Sequence, residues 1–459
     1  MARAMAALVW IAAASSLPNI TTPGSDAGPP SDRVIPVRVE DGQARIHLPA
    51  GSAESGYLAV VSLAARQTRT GRVRLEVRAA ADTQTPPEPL ASEPLTVTLH
   101  GAEAEPVRLP EPAVSRPPNH RVFYLLARPG DPASPANYES RSAQLRALGQ
   151  RVQVYVDQDD LDAVASPTLQ DVVRTFDSVI WPALASRFGS AADVDHDERL
   201  TVLFSRAVGC VASATDPVDG YTRPADFDRR IAPPLGNQAD MVCLHPRLTA
   251  GPHLRTVLAH EYAHAILVTR RVILGAGVEE EGWIDEALAH LVEDELGLSR
   301  SNVLHRVQAY LADPSAFSLV VDDYYGRGLF RSHGHRGAAY LFLRWCVAQG
   351  GPDALDALVM APRSGVANLE ATFGVSFDEL FRGWATSQAL AAECPRFERL
   401  DPGQHLSWSA VPTSCRYVWI PVDSTDGGVE LIFDADPALK PQLTLIRRAT
   451  APSAPSLSP

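Results

Sequence analysis

His260-Glu261-Tyr262-Ala263-His264 is the stretch of this 459-residue chain with the clearest capacity for chemistry. On a helix of 3.6 residues per turn, a spacing of four stacks both imidazoles on one face, where together they can ligate one metal ion. Glu261 stands beside them, placed to accept a proton from a metal-bound water. The flanks are apolar: Val257, Leu258 and Ala259 come before, and Ala265, Ile266, Leu267 and Val268 after. Such a helix is expected to be buried, and two buried neutral imidazoles need polar partners. A metal ion provides them.

Catalytic zinc takes three protein ligands and keeps one position open. Downstream lies Glu281-Gly282-Trp283-Ile284-Asp285-Glu286-Ala287-Leu288-Ala289-His290, the start of a second predicted helix. Glu286 is the candidate third ligand. Asp285 is adjacent but points about 100° away around the helix. His290 is one turn beyond Glu286 on the same face, a candidate for the metal itself or for a supporting hydrogen bond. Glu293 and Glu295 read as a solvated helix face.

With these residues the chain resembles the glutamate-zincin metallopeptidases, whose third ligand comes from a W-x-x-E-[GA]-x-A helix after HExxH. Trp283, Glu286, Ala287 and Ala289 fall on that pattern. The resemblance implies zinc on His260, His264 and Glu286, Glu261 as catalytic base, and a protein or peptide substrate. The G-x-M-E-N motif of the aminopeptidase branch is absent, and Arg270 stands where a metzincin has its third histidine. The better resemblance is to the hyicolysin-type neutral metallopeptidases. Their order of segments is matched by Arg121-Val122-Phe123-Tyr124, by VQVYVD at 152–157, by DVDHDERLTVLFS at 193–205, by Gly220-Tyr221, and by Asn237-Gln238-Ala239-Asp240-Met241. Together these cover about residues 121–351, half of the chain.

The family pattern also sets expectations that this chain meets incompletely. Thermolysin-like enzymes place an acid four residues after the glutamate to orient a histidine, and here that position is His290. The oxyanion donor of a zincin is usually a Tyr or His after the third ligand. A Tyr-Gly is expected just before the later helix, where this chain has Arg336-Gly337, and the nearest Tyr-Gly is Tyr325-Gly326. Tyr325 and His335 are the candidates. Residues 237–244 alternate apolar with polar and look like the edge strand on which a zincin pairs its substrate backbone.

Asp193, Asp195 and Asp197 place carboxylates at alternate positions, as in a calcium loop. Glu198 takes the place of the loop glycine, however, and Phe204 that of the closing glutamate. A structural calcium ion is the candidate second cofactor beside zinc.

The elements that must hold these groups follow from texture. Length alone allows two to four domains at about 100–200 residues each. Residues 1–16, with Arg3 before a short apolar run and then small residues, have the layout of a secretory signal. A proline- and serine-rich linker follows, giving 1–32 as signal and linker and an exported protein as the expectation. Short alternating runs at 34–39, 44–48, 57–63, 73–77 and 95–99 predict a β-sandwich-like domain over 33–112. Residues 113–392 read as an α+β, zincin-like core. Its predicted strands lie at 121–127, 151–156 and 200–204, and its predicted helices around 138–148, 168–188, 254–268, 283–296, 304–311 and 337–347. A small C-terminal β domain is expected over 393–448, with a low-complexity tail at 449–459.

Composition excludes several classes. Hydrophobic residues make up 45% and charged residues 21%, a globular balance, and the net charge of −13 offers no chain-wide basic footprint for nucleic acid. After the N-terminal run no apolar stretch reaches the roughly 20 residues that span a bilayer, so no integral membrane segment is expected in the mature chain. None of the five cysteines forms a C-x-x-C pair; in an exported protein Cys210–Cys243 and Cys394–Cys415 are candidate disulfides, and Cys346 reads as a buried small hydrophobe. The rival reading is a non-catalytic surface or binding protein with a degenerate or structural zincin core.

Overall fold

The computed structural model describes residues 33–51, 55–66, 69–79, 117–128, 131–211, 218–298, 300–391, 394–422 and 427–452, without the side chains of 210, 211 and 300. The expected signal at 1–32 and the run at 95–99 lie outside these residues. In chain order come β1 (Arg33–Val37), β2 (Gln43–Leu48), β3 (Gly56–Leu63), β4 (Gly71–Ala79), β5 (His120–Leu126), β6 (Tyr138–Leu148) and β7 (Val152–Asp157). Helices α1 (Ser166–Thr175) and α2 (Trp181–Phe188), joined through a π-type turn, lead to β8 (Leu200–Phe204), β9 (Gly220–Tyr221), α3 (Pro224–Phe227) and β10 (Met241–Leu244). Then follow α4 (Pro252–Leu267), α5 (Gly282–Leu296), α6 (Arg300–Ala312), α7 (His333–Gly350), α8 (Ala354–Met360), α9 (Gly365–Phe373) and α10 (Phe377–Leu390). The chain closes with β11 (Phe397–Arg399), β12 (His405–Ala410), β13 (Cys415–Pro421), β14 (Val429–Ala435) and β15 (Pro441–Arg448). Mixed α and β content of this kind is compatible with the α+β class.

Two compact units divide the chain: the first takes in Met1–Thr98, Leu304–Gln349 and Gly374–Pro459, the second Leu99–Val303 and Gly350–Phe373. In the first, the strands sort into sheets ordered β1-β15-β3-β13-β11 and β12-β4-β14-β2. Each sheet draws on both ends of the chain, so the N-terminal and C-terminal β domains expected over 33–112 and 393–448 share their sheets instead of folding separately. The reason is visible in β3, which is buried along its whole length and needs neighbours on both sides. β13 and β15 supply them in antiparallel register. Val73, Leu75, Val77, Leu431 and Phe433 bring the second sheet's apolar side into the same core.

The second unit is built on a six-stranded sheet, β5-β6-β7-β8-β10-β9. β7, β8 and β10 run parallel to one another, with antiparallel strands on the outside. Residues 138–148, expected as a helix, form β6 instead. Their Glu, Arg, Gln, Leu and Ala content favours a helix locally, but pairing with β5 and β7 overrides that preference. Glu139 and Arg141, two residues apart, bond at 2.6 Å across one strand face. The expected edge strand at 237–244 is also corrected: β10 lies between β8 and β9, and the two-residue β9 takes the edge.

Cys394 and Cys415 are both free and buried, so that expected disulfide is not formed. The Cys415 thiol instead sits against the hydroxyls of Tyr310 and Tyr417. The side chain of Cys210 lies outside the described residues.

Arg271, in the π-type turn that continues α4, fixes where the next helix starts. Its guanidinium reaches Glu280 at 3.3 Å with both side chains about fully buried, and donates to the carbonyls of Leu358, Ala361 and Arg363. Glu280 in turn accepts from the backbone N–H of Gly365 at 2.6 Å and from Asn368 Nδ2 at 2.7 Å. Removing one partner of such a pair leaves an uncompensated buried charge. Arg271→Ala is therefore expected to cost about 3–5 kcal/mol in denaturant unfolding, far more than an exposed arginine such as Arg230.

Candidate metal centre

The helix that carries the histidines is anchored before it begins. Gly251 adopts φ 145°, a backbone conformation that favours glycine, and Pro252 opens α4 with the fixed φ suited to a first turn. Asp171 on α1 accepts from the Gly251 N–H at 2.9 Å and from Arg255 at 2.9 Å, which holds the first turn in place. Beyond it, every residue from Thr256 to Leu267 is buried. The uniformly apolar flanks produce this, since a helix without a polar face has to be covered all round. α5 starts at the Glu280 clasp, is tied by a bond from Trp283 Nε1 to Glu281 Oε2 at 2.8 Å, and ends in a left-handed Gly297.

Across α4 and α5 the metal-ligating atoms converge. His260 Nε2 lies 3.2 Å from His264 Nε2 and 3.4 Å from Glu286 Oε2. Tetrahedral ligands on zinc, bonded at about 2.0–2.2 Å, stand roughly 3.3–3.6 Å apart. The observed separations match that geometry.

The other ring nitrogens explain which way the lone pairs face. His260 Nδ1 meets Glu293 Oε1 at 2.6 Å, and His264 Nδ1 meets Asp285 Oδ2 at 3.1 Å. A carboxylate accepts, so in its neutral form His260 carries its proton on Nδ1 and turns a bare Nε2 toward His264, whose Nδ1 lies beside Asp285 at ion-pair distance without an aligned hydrogen bond. Two nitrogen lone pairs and a carboxylate oxygen then share one buried point. In the absence of metal a proton on His264 relieves that arrangement; once it is displaced, the donor set of two imidazoles and a carboxylate suits zinc.

Glu293 is a residue that sequence reading placed wrongly. Expected on a solvated face, it is 1% exposed and accepts from three sides. His260 and His290 contact its Oε1 at 2.6 and 2.9 Å, and Asn302 Nδ2 donates to its Oε2 at 3.0 Å. Burial alone would raise its pKa, but His290 and His260 outweigh that and hold the carboxyl well below the usual range. Glu293 thus holds His260 from behind, where the family resemblance leads to the expectation of an acid one turn after Glu286. Here the acid comes two turns after Glu286, and the fully buried His290 occupies the intervening turn. The spacing Glu286, His290, Glu293 on one helix face was the available signal. Asp285, set aside as a ligand because of its direction, faces His264 for the same reason.

Glu261 is 5% exposed, and its carboxyl is close enough to His260, His264 and Glu286 to interact electrostatically with each. Thr222 Oγ1, just past β9, lies 2.9 Å from the Glu261 carbonyl oxygen and 3.1 Å from Glu261 Oε2. Burial is the main force raising the Glu261 pKa, with the two histidines opposing it. Thr222 had no signal in the sequence. Tyr325 and His335, the expected oxyanion donors, belong to the first unit. Tyr325 is exposed, and His335 Nδ1 pairs with Ser332 Oγ at 2.7 Å. Asp193, Asp195 and Asp197 form a separate group with carboxylate oxygens within 4.8 Å of one another.

No protein-family profile matches this chain. It is similar to the neutral metalloprotease ShpI of Staphylococcus hyicus, with 24% identity over 229 residues that cover 46% of this chain and 48% of that protein. This chain therefore spans about half the length of that relative. The likeness supports a distant relationship to metallopeptidases.

The charge states of the site give two expectations. Burial opposes a charge on His264, but Asp285 and then Glu286 and Glu261 outweigh it and raise the ring from 6.5 to about 10. In the metal-free protein this protonated histidine stabilises the fold fully below about pH 6.5, and that contribution is lost as pH rises toward 10. Zinc has to displace the proton, so calorimetry in buffers of different ionisation enthalpy at pH 7 should show proton release, with affinity weakening in acid. Glu293→Gln keeps the size but weakens the hold on His260, and zinc competition with a chromophoric chelator should show a loss of about 10–100-fold in affinity.

Proposed function

We propose that this chain is an exported zinc-dependent endopeptidase of the glutamate-zincin type, acting on protein or peptide substrates. The observation that carries the reading is the convergence of His260 Nε2, His264 Nε2 and Glu286 Oε2 at zinc-ligand separations, with Glu261 beside them. A structural site has no need of Glu261, which is why the catalytic reading is preferred to a binding protein with a retained metal. Likeness to a neutral metalloprotease supports the same class.

When bound, zinc supplies Lewis acidity to a water and to the substrate carbonyl. The protein's own residues do the rest. His260 donates from Nδ1 to Glu293 and His264 has Asp285 beside its Nδ1, so that with zinc bound both rings would offer Nε2 to the metal. Glu261 accepts the proton of the attacking water and returns it to the leaving amine. Its burial favours taking up that proton, and Thr222 fixes one carboxylate oxygen so that the other is left for the transfer. Beside this site the short β9 leaves the sheet edge for an extended peptide to join by strand addition. The absence of any motif for a free terminus in the sequence favours internal cleavage.

Export rests on the residue 1–16 layout. No helix among the described residues is long and apolar enough to cross a membrane.

Glu261→Gln separates the two readings. The variant is expected to retain its zinc while casein or peptide-library cleavage falls by about 10²–10⁴-fold. Chelator-insensitive cleavage, or equal cleavage by the variant, contradicts the assignment of Glu261.

A further inference from the structure

The loop between α2 and β8 holds a second concentration of charge, away from the histidines. Asp193, Asp195 and Asp197 bring their carboxylate oxygens within 4.8 Å of one another. Protein donors satisfy only part of this group. Asp193 Oδ1 accepts from the Asp197 N–H at 3.0 Å, Arg121 contacts Asp195 Oδ2 at 2.6 Å, and Asp197 accepts from the Arg199 N–H at 2.9 Å and from Gln153 Nε2.

Residues outside the loop add to this group. Asp240, just before β10 and 4% exposed, places Oδ1 3.0 Å from the N–H of Val194, the residue between Asp193 and Asp195. A fourth carboxylate is thereby buried against the loop. Gln153 is fully buried with its amide on Asp197, yet its Oε1 has no hydrogen-bond partner, and neither has the buried Asp195 Oδ1. Of the nearby cations, Arg121 contacts a carboxylate of the four, Arg151 pairs with Glu198 at 3.5 Å, Arg199 Nη1 goes to the Asp197 carbonyl at 3.0 Å, and His196 faces Arg229.

We propose that Asp193, Asp195 and Asp197 bind a calcium ion, with Asp240 as a buried counter-charge behind them and Gln153 Oε1 and Asp195 Oδ1 as the oxygens left for it. An all-oxygen set on an irregular loop suits this hard, geometrically tolerant cation. The ion would also steady the histidine helix. The same loop donates from the Ala192 N–H to Thr269 Oγ1 at 2.9 Å and from the Ala191 N–H to the Tyr262 hydroxyl at 3.4 Å. Tyr262 lies within the His260–His264 stretch.

The test uses the zinc-loaded full chain in calcium-free buffer. Terbium is added while its tyrosine-sensitised emission is read, Tyr155 on β7 being close to Asp195 and Asp197. Saturable emission displaced by calcium, with a calcium-dependent rise in melting temperature, is expected. In Asp193→Asn/Asp195→Asn, terbium binding should weaken by at least about tenfold with zinc content unchanged. Without calcium this variant should melt no lower than the parent, because like charges have been removed; with calcium the order should reverse. Wild-type protein alone is informative if the variant fails to fold. Absence of saturable terbium emission, displacement by magnesium as effective as by calcium, or an equal calcium effect in the variant overturns the proposal.

Discussion

Two imidazole lone pairs and a carboxylate oxygen meet at one buried point between α4 and α5, and much of the second unit serves to hold them there. With both rings neutral the arrangement is repulsive, because three acceptors face each other at 3.2–3.4 Å with little water to separate them, and in the metal-free protein a proton held on His264 offsets this. It persists because each imidazole is pinned from behind by a carboxylate, His260 by Glu293 and His264 by Asp285. Glu293 is pinned in turn by His290 and Asn302. Carboxylates back the network on its outer side while His260 Nε2, His264 Nε2 and Glu286 Oε2 turn inward, the form expected of a metal site.

The same constraint accounts for the helices. A histidine pair at spacing four defines one face of α4, but the position of Glu286 depends on where α5 begins. The buried Arg271–Glu280 pair sets that point, linking the turn after α4 to the start of α5 and to the segment between α8 and α9. The other end of α4 is tied to α1 through Asp171. Both ties are buried or partly buried ionic contacts, where loss of one partner is costly and geometry is therefore well specified. The sheet contributes by delivering β10 into α4 and by ending in β9, whose following residue Thr222 reaches Glu261.

Much of the site was legible in the sequence because it depends on local spacing. His260, His264 and Glu286 are each one element's periodicity, and the elements carrying them fall close to the expected 254–268 and 283–296. Glu293 is harder to read as a buried group: it shares a helix face with Glu286 and His290, as Glu295 does not, but that spacing alone does not say that the face is covered. What distinguishes it is His260, on another helix. The β framework failed in the same way. Residues 138–148 have helix-forming side chains, and only the neighbouring strands make them β6. The pairing of β3 with β13 and β15 joins segments more than 350 residues apart, so no local pattern could reveal that the two flanks share sheets. Alternation within each strand was readable; the identity of the partner was not.

The central claim, that His260, His264 and Glu286 form one zinc site, is tested most directly by X-ray absorption at the zinc edge of the purified full chain. The account predicts one zinc per chain with two imidazole nitrogens and one or two light oxygen ligands at about 2.0–2.2 Å and no sulfur scatterer, and loss of that first shell in His264→Ala. Protein that takes up no zinc, a sulfur-containing first shell, or a spectrum unchanged in His264→Ala would contradict it.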